Sequence, residues 1–455
     1  MARASKRLEI VLDGVHAGRL LQDEHGRLSI VYDDGYRRRG DATPLSLSMP
    51  LSRASHGHNT VDPFLRGLLP DSEAVLERWG RRFGVSANSP YGLISHVGED
   101  VAGAVQFVVE DRLAEATSSG SVQPVDEDYI AGRLRVLGQD RAAWDDALSP
   151  AQVSLAGAQA KFALYRSPDG EWGLPSGRTA TTHIFKPSLP YLGDQDVNEH
   201  LCLVAAGKLG LPAARSEIRQ FGDQRAIVLR RYDRVLQPDG EVMRIHQEDF
   251  CQALGVSPNR KYERDEGGPG VVQMAGLMRR IQPPAAARDS AAHFAKAMAY
   301  NWVIYAPDGH AKNYSILLRG QEAVPSPLYD ISSVLPYPDR YDLRTMAMAM
   351  SVNGKYQNNL ITGADWAVLA DQLGVEREQM AAWVREIATN APDAFADAVT
   401  ENAAWIKGTA VPPALVDNVA SYAHQLARFL ETPPSRTPQS RRRAKGRAPH
   451  PPSGE

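Results

Sequence analysis

Cysteine is nearly absent from this 455-residue sequence, which contains only Cys202 and Cys251. Two cysteines cannot build a disulfide framework or a cysteine-based zinc cluster, and such low usage suits a reducing compartment. Long apolar runs are also missing, because no uncharged apolar stretch approaches the roughly 18 to 20 residues that a membrane span requires. Residues 1–6 are basic but lead directly into an alternating strand pattern, unlike a signal peptide. We therefore expect a cytoplasmic protein with no membrane partner.

Glycine-rich phosphate-binding motifs are missing as well, since neither G-x-G-x-x-G nor G-x-x-x-x-G-K-[ST] occurs in the chain. A nucleotide site would have to be built from less distinctive residues. The hydrophobic fraction is 43%, which is enough for two or three ordinary cores. The net charge is −3, but residues 435–455 contain six Lys or Arg and a single acidic residue. The sequence thus predicts a mildly acidic, multi-lobed globular body and a basic tail.

The stretch with the clearest chemical pattern is residues 308–313, Asp-Gly-His-Ala-Lys-Asn. Asp308 and Asn313 have the spacing of a kinase catalytic loop, in which the Asp accepts the proton of the acceptor hydroxyl and the Asn binds a magnesium ion. Apolar side chains recur at helical spacing in residues 293–305, which indicates a buried helix that ends at this loop. A polar loop on a rigid scaffold is a common location for catalytic residues.

A predicted β-hairpin follows this loop, with a strand at residues 314–318 and a turn at residues 319–322. Its return strand would deliver Asp330 beside Asn313, which makes Asp330 the candidate for a second metal-binding carboxylate. Two other interpretations stay open for these residues. One is a plain turn, because turns are often rich in Asp, Gly and Asn. The other is a metal-dependent hydrolase whose ligands are Asp308, His310 and Asp330.

Two candidate phosphate contacts lie upstream. Small residues at 154–161 enter a predicted strand, and small side chains let backbone N–H groups approach an anion, although a plain loop has the same pattern. Lys186 ends a predicted strand at residues 182–186, where a kinase needs a phosphate-binding lysine; the alternative is a solvated lysine at a strand end. Glu199, near the start of the next predicted helix, is either a helix-dipole acid or the ion-pair partner of Lys186.

The pattern along the chain predicts an α+β fold. Antiparallel β-structure opens the chain and continues through residues 44–51, and residues 1–110 show no catalytic feature. Residues 117–126 are predicted to be a linker, and residues 230–234 to cross between two lobes. The predicted division is an N-terminal β-rich accessory subdomain, a nucleotide-binding lobe, a mainly α-helical lobe and a disordered basic tail, at residues 1–110, 127–245, 246–431 and 432–455.

Short motifs recur in a fixed order along the chain. They are Ser-Leu-Ala-Gly-Ala-Gln-Ala-Lys, Thr-His-Ile-Phe-Lys, Arg-Tyr-Asp-Arg, Gln-Glu-Asp-Phe-Cys-Gln, Lys-Tyr-Glu, Gly-Gly-Pro-Gly, Asp-Gly-His-Ala-Lys-Asn and Tyr-Asp-Ile. Together they resemble the HipA family of toxin kinases. The amino-terminal Pro-Leu-Ser-Leu-Ser and Leu-Leu-Pro-Asp-Ser are also similar to that family. The resemblance implies a two-lobed, kinase-like fold of the HipA type.

The resemblance also implies a serine/threonine protein kinase that uses ATP and Mg²⁺ and is the toxin of a type II toxin–antitoxin module. It implies Asp308 as the catalytic base and Asn313 and Asp330 as magnesium ligands. It further implies that the enzyme phosphorylates its own Ser154. This modification expels the loop of small residues at 154–161, the phosphate loop, and switches the enzyme off. The residues that it implies for ATP binding are Ala156, Gly157, Ala158, Gln159, Lys186, Arg230, Tyr232, Asp233, Gln247 and His310.

Partners are implied in the same way. They are a small DNA-binding antitoxin of the HipB type, DNA reached through the antitoxin complex, and a protein substrate, for which the family suggests an aminoacyl-tRNA synthetase. A catalytically silent antitoxin and DNA co-binding module is the alternative, with the basic residues at 441–445 strengthening DNA contact. Retention of Lys186, Asp308 and both metal residues favours the kinase. We expect Asp308→Asn and Asp330→Asn to abolish activity with little loss of stability, because both carboxylates would face a wet cleft.

Overall fold

The computed structural model describes residues 6–118, 120–144, 153–188, 193–281 and 283–431, with side chains through residue 426. The predicted basic tail at 432–455 lies outside these residues. Within them, the predicted α+β fold with a β-rich N-terminal part and a mainly α-helical C-terminal lobe is confirmed. None of the helices in the described ranges is long and apolar enough to cross a membrane.

The N-terminal subdomain is built on five strands, β1 (Lys6–Leu12), β2 (Val15–Gln22), β3 (Leu28–Tyr32), β4 (Ser55–His56) and β5 (Val105–Val108). They form one antiparallel sheet in the order β4-β3-β2-β1-β5. Asp13 and Gly14 join the first two strands with positive φ angles of 46° and 79°, which the tight Asp-Gly hairpin turn requires. The helices of this subdomain are α1 (Asp34–Arg37), α2 (His58–Gly67), α3 (Glu73–Phe83) and α4 (Pro90–Val97).

Two sequence-based predictions in this half of the chain are wrong. Residues 44–51 do not continue the sheet but form turns with one isolated bridge between Ser46 and Met49. Residues 117–126 are not a linker, because Gly120–Val125 pairs along its length with another strand. The Ser, Gly and Pro content of this exposed segment is tolerated because it is an edge strand, where only one side of the backbone needs a partner.

The nucleotide lobe contains six strands, β6 (Gly120–Val125), β7 (Phe162–Arg166), β8 (Trp172–Gly177), β9 (His183–Pro187), β10 (Ser216–Phe221) and β11 (Gln224–Arg230). Their order in the antiparallel sheet is β10-β11-β9-β7-β8-β6. The predicted hairpin around Gly222 is confirmed, and this glycine has a φ of 56° in the turn. The helices are α5 (Leu113–Ser118), α6 (Glu127–Gln139) and α7 (Gln195–Lys208).

The C-terminal lobe is mainly helical, with α8 (Phe250–Leu254), α9 (Glu263–Glu266), α10 (Val271–Met278), α11 (Pro284–Val303), α12 (Gly363–Leu373), α13 (Arg377–Asn402) and α14 (Val411–Glu431). Strands β12 (Arg234–Leu236) and β13 (Val242–Arg244) precede this lobe and pack against Tyr165 of the nucleotide lobe, and the strands of the C-terminal lobe are β14 (His246–Asp249), β15 (Ser315–Arg319) and β16 (Glu322–Pro325). The first two pair with each other, and the other three form a sheet in sequence order.

The sheet of the nucleotide lobe is buried between two hydrophobic cores. On β11, Ala226 and Val228 pack into a core shared with the N-terminal subdomain, whereas Ile227 and Leu229 pack into the core of the C-terminal lobe. This alternation follows from the two-residue period of a strand, and burial of both faces explains why residues 226–229 in the middle of β11 are all apolar. The sheet is therefore fixed between its neighbours, and residues at its ends are held firmly.

Candidate active site

The loop at residues 304–313 follows directly from helix α11, whose Trp302 is buried. A 3-10 turn at Ala311–Asn313 ends this loop. Asn313 Nδ2 donates a hydrogen bond of 2.7 Å to the backbone oxygen of Asp308. The predicted buried helix that ends at the loop is confirmed, and the plain-turn interpretation misses the fact that this loop lines a deep cavity.

The hairpin of β15 and β16 brings the chain back to this loop, as predicted. The Tyr329 hydroxyl donates a hydrogen bond of 2.6 Å to the backbone oxygen of Lys312. The next residue, Asp330, has a φ of 56°, a left-handed conformation that is costly for a residue other than glycine. As a result, Asp308, Asn313 and Asp330 line one cavity of about 340 Å³.

Lys186 on β9 lies in the same cavity and pairs with two carboxylates. Its Nζ is 2.7 Å from Glu199 Oε1 on α7 and 2.8 Å from Asp330 Oδ1. Glu199 is therefore the ion-pair partner of the lysine, and the solvated-lysine interpretation is wrong because Lys186 is buried. Burial alone would lower the pKa of Lys186, but Asp330 and Glu199 raise it above its usual value. Lys186 in turn holds the pKa of Asp330 well below its usual range.

Asp308 is held by a tyrosine that the sequence reasoning did not select. Its Oδ1 accepts a hydrogen bond of 2.6 Å from the hydroxyl of Tyr262. Burial raises the pKa of Asp308, although this hydrogen bond favours the carboxylate and acts in the opposite direction. Asp308 stays accessible from the cavity, and an aspartate with a raised pKa is a better proton acceptor than one with an ordinary pKa, which suits a general base.

The loop of small residues forms another wall of the cavity, through Ala156, Gly157, Ala158 and Gln159. Gly157 has a φ of 100°, and a Cβ at this position would lie 2.7 Å from Lys161 Nζ. This nitrogen donates a hydrogen bond of 2.7 Å to the backbone oxygen of Ala156. The backbone angle favours glycine, because other residues rarely adopt it, and the contact with Lys161 adds little since Nζ is the end of a flexible side chain. Burial, and next the charge of Lys186, lower the pKa of Lys161 to about 8.

The N-terminal subdomain holds the phosphate loop in place. Ser154 is fully buried, and its hydroxyl donates a hydrogen bond of 2.8 Å to the backbone oxygen of Leu68. The backbone N–H of Ser154 donates to the backbone oxygen of Asp100 at 3.0 Å, and that of Asp71 donates to the backbone oxygen of Gly157 at 3.0 Å. These three bonds connect the loop to two segments of the other subdomain.

The far wall of the cavity includes four of the residues implied for ATP binding, Arg230, Tyr232, Asp233 and Gln247. The Tyr232 hydroxyl donates a hydrogen bond to Gln247 Oε1, and the Tyr232 ring packs against that of Tyr329. Gln247 Nε2 donates to Asp233 Oδ2 at 3.1 Å, and Arg231 donates to both oxygens of the same carboxylate. Asp233 therefore orients Gln247 and Arg231, whereas Arg230 is exposed at the end of β11.

His310 is buried in the same cavity, with its ring edge-on to that of Tyr262. Burial, and next the charge of Lys261, lower the pKa of His310 to about 3, so the ring is neutral at pH 7. No set of three or more His, Cys, Asp or Glu that could hold a metal ion exists among the described residues. The three residues of the metal-dependent hydrolase interpretation, Asp308, His310 and Asp330, are therefore not arranged as a three-ligand metal site.

The side chains of Asn313 and Asp330 nevertheless fit a magnesium ion. Magnesium is usually held by one or two carboxylates together with substrate phosphates, and it prefers oxygen ligands. Because the amide nitrogen of Asn313 is bound to the backbone of Asp308, its amide oxygen is the atom left for a cation. Asp330 supplies the carboxylate, and the phosphate loop lines the same cavity.

Asp71 also lines the cavity, although the sequence predicts no functional residue within 1–110. Its carboxylate pairs with Lys261 at 2.7 Å and with Lys312 at 2.6 Å. The sequence feature that could have pointed to Asp71 is the motif Leu-Leu-Pro-Asp-Ser. The motif indicates no chemistry by itself, because the lysines that pair with Asp71 lie far away in sequence. Lys261 and Tyr262 were missed for the same reason, whereas Lys161 was not selected although its partner Ala156 is only five residues away.

Two family models match this chain. The HipA-like C-terminal domain matches residues 153–395, and the HipA N-terminal domain matches residues 8–108. The chain belongs to the HipA family. A putative kinase of Sinorhizobium fredii, Y4mE, is 35% identical to this HipA-family chain over 401 residues, which cover 86% of the chain and 90% of that kinase.

Two further similarities come from Shewanella oneidensis. Its serine/threonine-protein kinase toxin HipA is 28% identical over 400 residues, which cover 85% of this chain and 86% of the toxin. A solved complex of HipA with HipB and operator DNA matches with a TM-score of 0.77 at 26% identity, over 94% of this chain and 100% of the solved chain. The predicted HipA resemblance and HipA-type fold are thus confirmed, and the family includes a named kinase toxin.

Proposed function

We propose that this HipA-family chain is a Mg²⁺- and ATP-dependent serine/threonine protein kinase that acts as the toxin of a type II toxin–antitoxin module. The observation that carries the proposal is the pairing of buried Lys186 with both Glu199 and Asp330 in the cavity that also contains Asp308 and Asn313. A kinase needs a lysine fixed by an ion pair, a proton acceptor and two metal-binding side chains around one nucleotide.

In the proposed complex, the phosphates of ATP lie between the phosphate loop and Lys186. The backbone N–H groups of residues 156–159 and the ammonium group of Lys186 hold the anionic oxygens. Asn313 and Asp330 would hold Mg²⁺, which when bound neutralises negative charge on the phosphates. The adenine lies toward residues 230–232 and Gln247, whose amide is already oriented by its neighbours.

Asp308 then accepts the proton of the acceptor's serine or threonine hydroxyl. The hydroxyl oxygen forms a bond to the γ-phosphorus while the bond from this phosphorus to the β–γ bridging oxygen breaks, and ADP leaves. A positioned general base contributes about 10²- to 10⁴-fold to such a transfer. Tyr262 keeps the Asp308 carboxylate in place through its hydrogen bond.

We also propose Ser154 as a self-phosphorylation site. Because Ser154 is buried, the loop must leave its contacts with Leu68 and Asp100 before the hydroxyl can react. A phosphate adds a charge of about −1.5 to −2, which cannot return to the buried position of the serine hydroxyl. The modified loop would stay outside the cavity, so phosphorylation would inactivate the kinase.

The proposed partner is a small DNA-binding antitoxin of the HipB type. The HipA of S. oneidensis was solved together with HipB and operator DNA, and this chain matches that HipA along nearly its whole length. The complex would contact DNA through the antitoxin. The proposed protein substrate is an aminoacyl-tRNA synthetase, whose modification would slow translation.

Purified protein incubated with labelled ATP and Mg²⁺ tests the kinase proposal. We expect transfer of label to protein in the wild type and none in Asp308→Asn. A wild type that binds ATP but transfers no label to itself or to cell proteins would contradict the proposal. If that protein still bound the antitoxin and strengthened its DNA contact, the alternative of a silent co-binding module would replace it.

A further inference from the structure

A second cavity meets the first one at the catalytic loop. Its volume is about 270 Å³, and it shares Asp308, Asn313 and Asp330 with the nucleotide cavity. Other parts of its wall come from residues 331–334 and from Tyr337, Arg340 and Tyr341. The proton-accepting carboxylate is thus reached from two separate cavities.

The two cavities differ in charge. The lysines that line the nucleotide cavity are Lys161, Lys186, Lys261 and Lys312. No lysine is among the described residues that line the second cavity, where Arg340 is the sole cationic side chain. The nucleotide cavity also contains carboxylates that pair with Lys186, Lys261 and Lys312, but it holds the phosphate loop and Lys161, whose Nζ is bound to a backbone oxygen. A triphosphate is attracted most strongly to these groups. The second cavity is therefore left for the group that receives the phosphate.

Asn301 in the wall of the second cavity has an unsatisfied oxygen. Its Nδ2 donates a hydrogen bond of 3.0 Å to the Tyr314 hydroxyl, but its buried Oδ1 has no partner among the described residues. Leaving a buried acceptor without a donor is unfavourable, because the group has lost its water and gained nothing. Because this oxygen is closed off from solvent in the free protein, a donor of a bound polypeptide would reach it only after the cavity wall opens.

Arg340 in the same wall is exposed and forms no ion pair with a described residue. The nearby Arg344 differs, because it pairs with Asp342 at 3.1 Å and does not line the cavity. Among the described residues, neither carboxylate of the second cavity forms an ion pair with Arg340, since Asp330 is paired with Lys186 and Asp308 accepts from Tyr262. Arg340 is therefore free to pair with an acidic group on a bound molecule.

We propose that the second cavity receives the serine- or threonine-bearing segment of a protein acceptor and that Arg340 selects an acidic side chain next to the phosphorylated residue. This inference rests on the proposed kinase function and adds the class of acceptor sequence. In this arrangement Asp308 lies between the nucleotide and the acceptor hydroxyl. Arg340 is a specificity residue and takes no part in the proton transfer.

The test is phosphorylation of a library of serine-centred peptides that carry glutamate, glutamine or lysine at single flanking positions. An exposed ion pair contributes roughly two- to five-fold in binding, so we expect glutamate to be preferred over glutamine by about that factor at one flanking position. Arg340→Glu should reverse this preference in favour of lysine. Arg340→Lys should keep it, because the positive charge is retained.

Arg344→Glu is the matched control, since it makes the same charge change four residues away and outside the cavity. The control should keep the wild-type preference for glutamate. Nucleotide affinity, measured separately, should be the same in the wild type, Arg340→Glu, Arg340→Lys and Arg344→Glu. Equal affinities would show that each protein is folded. Ser332→Phe should fill the second cavity and reduce peptide phosphorylation without changing nucleotide affinity, because Ser332 does not line the nucleotide cavity.

Several outcomes would overturn the inference. A wild type without a preference for glutamate, or an Arg340→Glu variant with an unchanged preference, would show that Arg340 does not select the acceptor. A kinase that labels itself but none of the peptides would show that the second cavity does not accept a free segment. Complete absence of label on any protein or peptide, with ATP still bound, would instead contradict the kinase proposal and the acceptor site with it.

Discussion

Asp71 of the N-terminal subdomain forms an ion pair of 2.6 Å with Lys312 of the catalytic loop. The same carboxylate binds Lys261, the neighbour of the tyrosine that holds Asp308. Burial alone would raise the pKa of Asp71, but Lys312 and Lys261 lower it to about 2, so the carboxylate is charged at neutral pH. A subdomain without catalytic residues of its own therefore fixes two segments of the candidate active site.

Asp71→Asn should weaken phosphate transfer. Without the carboxylate, the buried Lys312 loses its ion-pair partner. Lys261 also loses its ion pair with the N-terminal subdomain. We expect kcat to fall about tenfold and the free energy of unfolding to fall by about 2 kcal/mol, the range for a hydrogen bond to a charged group. Steady-state kinetics and denaturant titration measure both effects.

Asp62→Asn is the control for this substitution, because Asp62 in the same subdomain pairs with Arg66 of its own helix at a partly exposed position and is not among the described residues that line the cavity. This variant should keep the wild-type kcat. An Asp71→Asn protein with unchanged kcat would show that the contact of the N-terminal subdomain with the catalytic loop has no functional effect.

Asp308→Asn and Asp330→Asn should each reduce transfer by about 10²-fold or more, since one removes the proton acceptor and the other a proposed metal ligand. We expect neither substitution to reduce the stability by much, in line with the expectation from sequence. Asp330 pairs with buried Lys186, but its side chain is 41% exposed, so its loss should cost about 1 kcal/mol or less. Single-turnover assays measure the transfer, and thermal unfolding measures the stability. A variant that reacts at the wild-type rate would refute the role proposed for its residue.

Nucleotide affinity should fall as the pH rises above about 8. Lys161 lies beside the phosphate loop with a pKa near 8, so the free protein loses this positive charge at higher pH, and phosphates must then bind a neutral amine or bear the cost of its protonation. We expect the dissociation constant for ATP to rise by up to about tenfold between pH 7 and pH 9. Calorimetric titration of wild type and Lys161→Met would measure this.

Lys161→Met should bind ATP more weakly at pH 7 and show a flatter pH dependence. The surface lysine Lys208, paired with Glu401, offers a matched control, and Lys208→Met should follow the wild-type curve. The same steep decline in Lys161→Met as in the wild type would assign the titration to another group.

Intact-mass analysis of protein expressed alone should find one phosphate on Ser154 in the wild type. The phosphate should be absent from Asp308→Asn, because we propose that the enzyme modifies itself. Ser154→Ala should still bind ATP, although its stability should drop by about 1 kcal/mol with the loss of the hydrogen bond to Leu68. An unmodified Ser154 in active wild type that has been exposed to ATP would contradict self-phosphorylation.

The sequence by itself determined the local elements of this protein and the spacing of its catalytic loop. Alternation in the first strands, the turn at Gly222 and the helix before Asp308 were predictable because hydrophobic period and turn residues act over short distances. The edge strand Gly120–Val125 was not, since its residues are suited to a loop and only pairing with β8 makes them a strand. The prediction for residues 44–51 was wrong in the opposite way, since it proposed a strand where the structure has turns. An alternating pattern without a partner strand forms no sheet.

Only the tertiary structure decided which residues meet. The pairing of Lys186 with Glu199 and Asp330 depends on a strand, a helix and a hairpin that are separated by up to 144 residues. Asp71 is 241 residues from Lys312, so no local pattern could have placed it at the catalytic loop. Charged side chains gain their role from such distant partners, because burial makes an unpaired charge costly and the fold must bring a counter-charge to it.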